Sequence, residues 1–234
     1  NATTLPASSG VGRKGLDTSI FLGYTADSTG QSASWGLEGF INDFGIAQMA
    51  AALAADPDTP KDRLEQLKDE AAYFEARSED YVNMFNEAAG TFTSRNSDGT
   101  WDDGAGFDKM AWGHAFTEAS AWTFGYHAPH DVDGLAALYG GRQGLIDNLH
   151  EFLDTPEQAK YSSIHEAREA RDVRMGMLGM SNQVAHHIPY VLGEAGDVSG
   201  SQKLISDIQD RLFVGSDIGQ GYPGDEDNGE FSAW

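Results

Sequence analysis

The sequence predicts an all-α fold in which helix hairpins follow one another along the chain. Apolar residues recur at spacings of three and four in several segments, no period-2 strand pattern of useful length appears, and long polar-aromatic loops separate the helix pairs. Hairpins joined in series can curl into an α/α toroid, whose loops of one kind emerge on one rim. We therefore expect three long loops, residues 90–130, 154–184 and 214–234, to meet on one face.

The individual elements follow from these patterns. Residues 1–33 are rich in Gly, Ser and Thr and are predicted to be an extended segment that leads into the folded part at residues 34–234. An Arg- and Glu-rich stretch at 165–171 is expected to be a solvated surface. Helices are predicted over residues 34–55, 61–86, 130–139 and 143–153, then from the end of the segment 181–190 to Glu194, and over 198–213.

Composition narrows the classes of function. The 234 residues include 37 acidic and 15 basic side chains, which gives a formal net charge of −22. That charge repels phosphate backbones and anionic bilayers, so neither a nucleic acid nor a membrane is expected as a partner. The absence of cysteine removes disulfides and thiolate zinc sites. No apolar run is long enough to span a membrane, and the termini suggest one segment of a longer, multi-domain protein.

The first loop carries a motif that suits sugar recognition. Glu118 lies four residues before Trp122, and His127-Ala128-Pro129-His130-Asp131 follows. An indole face can stack on the C–H groups of a sugar while a carboxylate accepts hydrogen bonds from its hydroxyls. The alternative is that Trp122 belongs to the core and that Asp131 caps the following helix.

The second loop ends in a segment around which the chain is organised, residues 181–190. It places the amides of Asn182 and Gln183 and the imidazoles of His186 and His187 where a loop enters a helix. Zinc is disfavoured, because adjacent helical residues point about 100° apart and no His-Glu-x-x-His spacing exists. The alternative is that these side chains cap the helix and fill a polar pocket.

The third loop is acidic. Residues 223–230, Pro-Gly-Asp-Glu-Asp-Asn-Gly-Glu, hold four acids within six positions. Such a loop can ligate calcium through oxygen or supply a carboxylate base for water. The alternative is that these acidic side chains face solvent and bind nothing.

Together these loops resemble the family 92 glycoside hydrolases, which are calcium-dependent exo-acting α-mannosidases that invert the anomeric centre. The match rests on residues 117–122 with 129–132, on 182–188 and on 223–234, and weaker likeness covers 34–47 and 95–99. The resemblance implies part of an (α/α)6 barrel at residues 34–234, a β-sandwich elsewhere in the same polypeptide, a bound Ca²⁺ that bridges two hydroxyls of the terminal mannose, and secretion.

One position departs from the family pattern. Where family members have Gly-Asn-Glu-Pro, whose Glu is interpreted as the general acid, this chain has Ser181-Asn182-Gln183-Val184. A carboxamide cannot protonate a leaving alkoxide, whereas a phosphate monoester leaves as a stable anion. The chain thus resembles the branch that releases mannose from mannose-1-phospho-6-mannose. The alternatives are an ordinary exo-α-mannosidase acting on α-1,2-linked mannose, and a non-catalytic segment that binds mannose.

The resemblance implies a role for each motif residue. Gln183 occupies the acid position, Asp225 and Asp227 are candidates for activating water, and Asp227 and Glu230 are candidate calcium ligands, with Glu230 standing where Gln is usual. The residues expected to line the sugar pocket are Glu118, Trp122, His130, Asp131, Asn182, His186 and His187.

Overall fold

The computed structural model describes residues 12–102, 106–156, 174–213, 221–224 and 226–234. The α-helices are α1 (Leu16–Leu22), α2 (Ser32–Ala55), α3 (Leu64–Ser78), α4 (Ala121–Phe124), α5 (Val132–Leu138), α6 (Arg142–Asp154), α7 (Ile188–Ala195), α8 (Val198–Leu212) and α9 (Glu230–Ala233). Short 3₁₀ turns cover Lys61–Arg63, Glu79–Met84, Gln183–Ala185 and Asp227–Gly229. Two antiparallel two-residue hairpins complete the list: β1 (Phe85–Asn86) with β2 (Thr91–Phe92), and β3 (Arg174–Met175) with β4 (Leu178–Gly179).

Consecutive helices pack as pairs. α2 lies along α3, α5 contacts α6, and α7 contacts α8, while α6 and α5 also touch α7. The chain is therefore mostly helical, as the apolar spacing predicts, and successive pairs are joined into one core. Closure of such pairs into a six-hairpin ring stays a prediction. Within the described ranges, no helix has the length and apolarity needed to cross a membrane.

Side-chain caps define the helix starts that matter for the site. The Asp131 carboxylate accepts a hydrogen bond from the Gly134 N–H at 2.8 Å and begins α5. Asp197 accepts one from the Gly200 N–H at 2.9 Å and begins α8. Ser120 caps α4 by accepting from Thr123 N–H at 3.2 Å. Each cap satisfies an amide that the first turn of a helix leaves without a partner.

The prediction that residues 1–33 form an extended segment is wrong for the described residues 12–33. Residues 16–22 form α1, and Leu16 and Tyr24 are buried in the molecule. Gly15 and Gly23 flank this helix with φ values of 70° and 73°, a left-handed conformation that glycine adopts without steric cost. At these two positions glycine serves the tight helix ends.

The single helix expected over residues 61–86 is also divided. α3 stops at Ser78, and a 3₁₀ turn and β1 complete the segment. The tighter turn brings Tyr81 and Met84 into fully buried positions, and Phe85 then pairs with Phe92 in the hairpin. Tertiary packing of large side chains therefore overrides the helical spacing here.

A buried ion cluster joins α2, α3 and the start of the described chain. The Asp43 side chain is fully buried and lies 2.6 Å from Arg13 Nη1 and 3.1 Å from Arg77 Nη2. The Arg13 guanidinium lies over Gly39, where a Cβ atom would collide with it. Two arginines on one carboxylate compensate its removal from water.

We expect Asp43→Asn to lower the free energy of unfolding of the complete protein by about 3–5 kcal/mol, because it leaves two buried guanidinium groups without their anion. Denaturant titration measures the change. Asp207→Asn is the matched control: Asp207 forms an exposed pair with Lys203 at 2.7 Å, and its removal should change the free energy by less than about 1 kcal/mol. Equal effects of the two substitutions would contradict a structural role for the cluster.

Candidate functional site

The described parts of the three long loops meet on one face, which two hydrogen bonds between side chains establish. Asn182 Nδ2 donates to Glu118 Oε2 at 2.7 Å, which joins the second loop to the first. Gln183 Nε2 donates to Asp227 Oδ2 at 2.5 Å, which joins the second loop to the third. We call these four residues the mouth. Their convergence agrees with the arrangement expected from the helix-pair topology.

Asn182 anchors the mouth. Its side chain is buried and begins the 3₁₀ turn Gln183–Ala185, with Oδ1 accepting from Val184 N–H at 3.5 Å. This leaves Nδ2 to hold the exposed carboxylate of Glu118. Since both ends of the amide are engaged, its orientation is settled and Glu118 is held against the second loop.

Left-handed backbone conformations cluster at the mouth. Glu118 has φ 51°, Asp227 has φ 48° and Asn228 has φ 61°, although none of the three is glycine. Such conformations are uncommon for residues with a Cβ atom and concentrate where a side chain must be aimed at a ligand or substrate. The strain therefore falls on the carboxylate-bearing residues that the sequence assigns to the site.

His186 holds the last segment in place and does not face the mouth. It is buried, with Nδ1 3.2 Å from Glu230 Oε1 and Nε2 3.2 Å from the Met180 carbonyl oxygen. Its ring packs on Phe231, and its carbonyl accepts a hydrogen bond from Trp234 Nε1 at 3.1 Å. The expectation that His186 contacts a sugar is therefore wrong, because both ring nitrogens are used inside the chain.

Trp122 is a core residue. Only 2% of it is exposed, its indole N–H donates to Asn148 Oδ1 at 3.3 Å, and its ring packs edge-on to Phe152. The Lys109 ammonium lies 3.5 Å from the ring centroid. No face of the indole is open for a sugar, and burial within this chain persists whatever else the protein contains. The prediction that Trp122 stacks on substrate is wrong.

Asp131 is the helix cap that the alternative interpretation describes. One carboxylate oxygen accepts from Gly134 N–H, and the other accepts from the Tyr81 hydroxyl at 2.8 Å. His130 donates from Nε2 to the Ser78 carbonyl oxygen at 3.0 Å. Burial lowers the pKa of His130, so the imidazole is neutral and Nδ1 keeps a lone pair with no hydrogen-bond partner.

His130, Asp131 and His187 come together at a cleft of about 450 Å³ between α5 and α7. His187 Nε2 donates to the Tyr126 carbonyl oxygen at 2.9 Å, and its ring packs edge-on against His127 at 4.9 Å between centroids. Burial, and then the neighbouring His127, lower the pKa of His187 to about 3. The cleft is lined by Pro129, His130, Asp131, Val132, Asp133, His187, Tyr190, Val191 and Glu194.

Sequence reasoning missed one polar pair beside this cluster. His127 is 4% exposed, and its Nε2 lies 2.9 Å from Glu38 Oε1 on α2. Burial would raise the pKa of Glu38, but the hydrogen bond from His127 and its charge outweigh burial and lower the pKa. The two residues are 89 positions apart, and only the tertiary fold brings the loop before α5 against α2.

The described residues do not by themselves form a calcium cage. They contain no group of three His, Asp or Glu side chains arranged to hold a metal ion. The two expected ligands are turned to other partners, Asp227 to Gln183 and Glu230 to His186. Asp225 lies outside the described residues. The donor chemistry of the acidic loop suits calcium, but the geometry of the described part does not assemble it.

We expect His187 to make the protein less stable in mild acid. Its pKa is about 3 in the folded state against about 6.5 when unfolded, so the unfolded chain binds the extra proton as pH falls between these values. The free energy of unfolding is therefore not reduced by His187 above about pH 6.5, and it decreases as the pH falls from there toward 3. In His187→Asn, whose amide can still donate to Tyr126, the free energy of unfolding should fall less between pH 7 and pH 5.

The family described as "Glycosyl hydrolase family 92 catalytic domain" matches residues 1–234. A family GH92 inverting mannosidase from Bacteroides thetaiotaomicron is 28% identical, with a TM-score of 0.74, over 96% of this chain and 29% of that one. No curated protein matches.

A second solved structure shows the same fold. The family GH92 α-mannosidase from Bacteroides thetaiotaomicron in complex with mannoimidazole is 23% identical, with a TM-score of 0.78, over 97% of this chain and 28% of that chain. The chain thus spans less than a third of the length of these mannosidases. The family match over all 234 residues, together with the mouth that its motifs form, shows that the chain belongs to the glycosyl hydrolase family 92 catalytic domains.

Proposed function

We propose that the protein containing this chain removes a terminal α-mannose by hydrolysis with inversion, so that β-mannose is released first. The observation that carries this proposal is the mouth, where Glu118, Gln183 and Asp227 meet from three separate loops. Glycosidases place carboxyl groups on both sides of the scissile bond. Membership of family 92 and the 28% identical relative, itself described as an inverting mannosidase, support the same reaction class.

The contact between Gln183 and Asp227 limits where the base can be. Inverting enzymes keep acid and base about 6.5–9.5 Å apart to leave room for the sugar and the attacking water. Gln183 Nε2 and Asp227 Oδ2 are separated by 2.5 Å. With Gln183 toward the leaving group, Asp227 stands on that same side. Water activation then falls to Asp225, which is outside the described residues, or to a residue elsewhere in the protein.

We infer a phosphodiester as the substrate from the amide at position 183. Asp227 fixes the Gln183 side chain with its NH₂ group toward the third loop, and a carboxamide has no proton to give to an alkoxide. A phosphate leaving group needs none, because its second pKa is near 6. On this proposal the protein releases mannose from mannose-1-phospho-6-mannose.

An ordinary α-mannosidase is the second candidate, and Glu118 favours it. Glu118 is an exposed carboxyl at the mouth, held by Asn182, the neighbour of Gln183. A carboxyl group in that place can protonate a sugar alcohol as it leaves. The two candidates therefore differ in whether position 118 or position 183 faces the leaving group.

Calcium dependence and export are further parts of the proposal. The acidic loop at 226–230 offers oxygen ligands, and Asp227 and Glu230 would contribute to a calcium site once other donors complete it. Secretion rests on the family resemblance alone. A mannose-binding role without catalysis is the outcome if the complete protein binds mannosides and cleaves none.

A substitution at position 183 tests which leaving group the enzyme prefers. In the complete protein, kcat/KM for a mannosyl phosphodiester should exceed that for a matched dimannoside. Gln183→Glu should raise dimannoside hydrolysis, since general-acid help is worth about 10²–10⁴-fold, and should weaken phosphodiester hydrolysis through charge repulsion. Product analysis of both substrates measures the ratio.

Glu118→Gln is the matched variant for the second candidate. If Glu118 is the proton donor, this substitution removes dimannoside activity about 10²–10⁴-fold while Gln183→Glu leaves the ratio of the two substrates unchanged. That pattern would contradict the phosphodiester proposal. Glu118→Gln replaces an oxygen by nitrogen and Gln183→Glu replaces a nitrogen by oxygen, so both keep the side-chain shape. Gln183→Glu also places a second carboxyl beside Asp227, and circular dichroism checks that the helical fold is retained in both variants.

Removal and return of the metal ion test the calcium dependence. Treatment of the complete protein with a chelator should abolish activity, and calcium should restore it, because an oxygen-rich site prefers a hard cation. Glu230→Ala should raise the calcium concentration needed for half-maximal recovery. Recovery with zinc and none with calcium would contradict the proposed ion.

A further inference from the structure

The loop that carries Glu118 is attached to the first turn of α2. The Ala115 carbonyl oxygen accepts hydrogen bonds from the Ala33 N–H at 3.1 Å and from the Ser34 N–H at 3.2 Å. In the first turn of a helix such amides have no partner within the helix itself. Because Gln31, the residue before α2, provides no side-chain cap, the loop carbonyl takes over that function.

Ser34 also binds the same loop through its side chain. The hydroxyl oxygen accepts a hydrogen bond from the Thr117 N–H at 2.7 Å, and only 4% of Ser34 is exposed. Thr117 directly precedes Glu118 in the chain. Ser34 therefore holds the loop at two backbone positions, the carbonyl group of Ala115 and the amide of Thr117.

The loop is also closed on itself. The Gly113 N–H donates to the Ala119 carbonyl oxygen at 3.0 Å, and Trp112 and Ser120 form an isolated antiparallel β-bridge. The ends of the loop are thus fixed to each other, and its inner residues are fixed to α2. Glu118, next to Ala119, therefore has little freedom to change its backbone direction.

Glu118 needs this support because its backbone is left-handed. Its φ is 51°, a conformation that costs free energy in a residue with a Cβ atom and persists where surrounding contacts impose it. Two contacts flank it: Ser34 holds the N–H of the preceding residue, and Asn182 Nδ2 donates to Glu118 Oε2 at 2.7 Å. The backbone contact and the side-chain contact together hold the carboxyl group at the mouth.

We propose that Ser34 is a positioning residue of the mouth, which keeps Glu118 in its left-handed conformation by holding the Thr117 amide. Its effect on turnover rests on the proposed mannoside hydrolysis, in which Glu118 faces the substrate. Ser34 itself is buried within the fold and takes no part in bond cleavage.

Ser32 provides a matched control in the same helix. It is completely buried, and its hydroxyl oxygen lies 2.8 Å from Ser94 Oγ, outside the loop that carries Glu118. Ser32→Ala and Ser34→Ala each remove one buried hydroxyl and one hydrogen bond, so both should lower the stability of the complete protein to a similar extent. Only Ser34→Ala should lower kcat/KM, by about 10–10²-fold, because it misplaces a group beside the substrate.

Two further variants separate positioning from general destabilisation. Ser34→Thr keeps the accepting hydroxyl and should restore most of kcat/KM. In a Glu118→Ala background, Ser34→Ala should change kcat/KM by less than about twofold, because no carboxyl group is left to position. The proposal is overturned by equal losses in Ser32→Ala and Ser34→Ala, by no recovery in a folded Ser34→Thr, or by a Ser34→Ala loss that persists in Glu118→Ala.

A measurement without substrate keeps this test separate from the proposed function. Amide hydrogen exchange of residues 113–120 should become faster in Ser34→Ala and stay at the wild-type rate in Ser32→Ala, because the Ser34 hydroxyl bonds to that segment and the Ser32 hydroxyl does not. If wild type cleaves no mannoside, the proposed hydrolysis fails, and this comparison still decides whether Ser34 holds the loop. Faster exchange in Ser34→Ala alone supports the proposal, and faster exchange in both variants or in neither overturns it.

Discussion

The hydrogen bond between Asn182 and Glu118 is the contact on which the site depends. It joins residues 64 positions apart at 2.7 Å and uses a buried amide whose other end begins a 3₁₀ turn. That turn places Gln183 opposite Asp227. The Asn182 contact therefore holds the carboxylate of the first loop beside the amide of the second. The mouth is thus built by polar bonds between loops, above a core made by the helix pairs.

Near the mouth, the histidines mainly hold loops in place. His187 and His130 each donate one N–H to a backbone carbonyl oxygen, and burial lowers both pKa values. His186 packs under the last segment. A cluster of imidazoles next to carboxylates would suggest proton transfer or metal binding, yet these rings orient loops. Because burial lowers the pKa values of His130 and His187, these two rings are neutral at neutral pH.

The carboxylates have three different environments in the structure. Asp131 and Asp197 cap helices, and Asp43 compensates two arginines inside the fold. Glu118 and Asp227 lie at the mouth on strained backbone, and Glu38 faces a separate cleft. A formal charge of −22 therefore does not describe one acidic surface. It is shared between structural caps, a buried ion cluster and exposed groups near the proposed substrate.

The sequence alone determined the helical class, the approximate positions of the later helices and the three motifs, because helical spacing is a local property. It also determined membership of the family through motifs in a fixed order. Only the tertiary structure decided that Trp122 is core and Asp131 a cap, that α1 is helical, and that Glu38 meets His127 across 89 residues. Burial and long-range pairing depend on which elements pack together, and no local pattern encodes that.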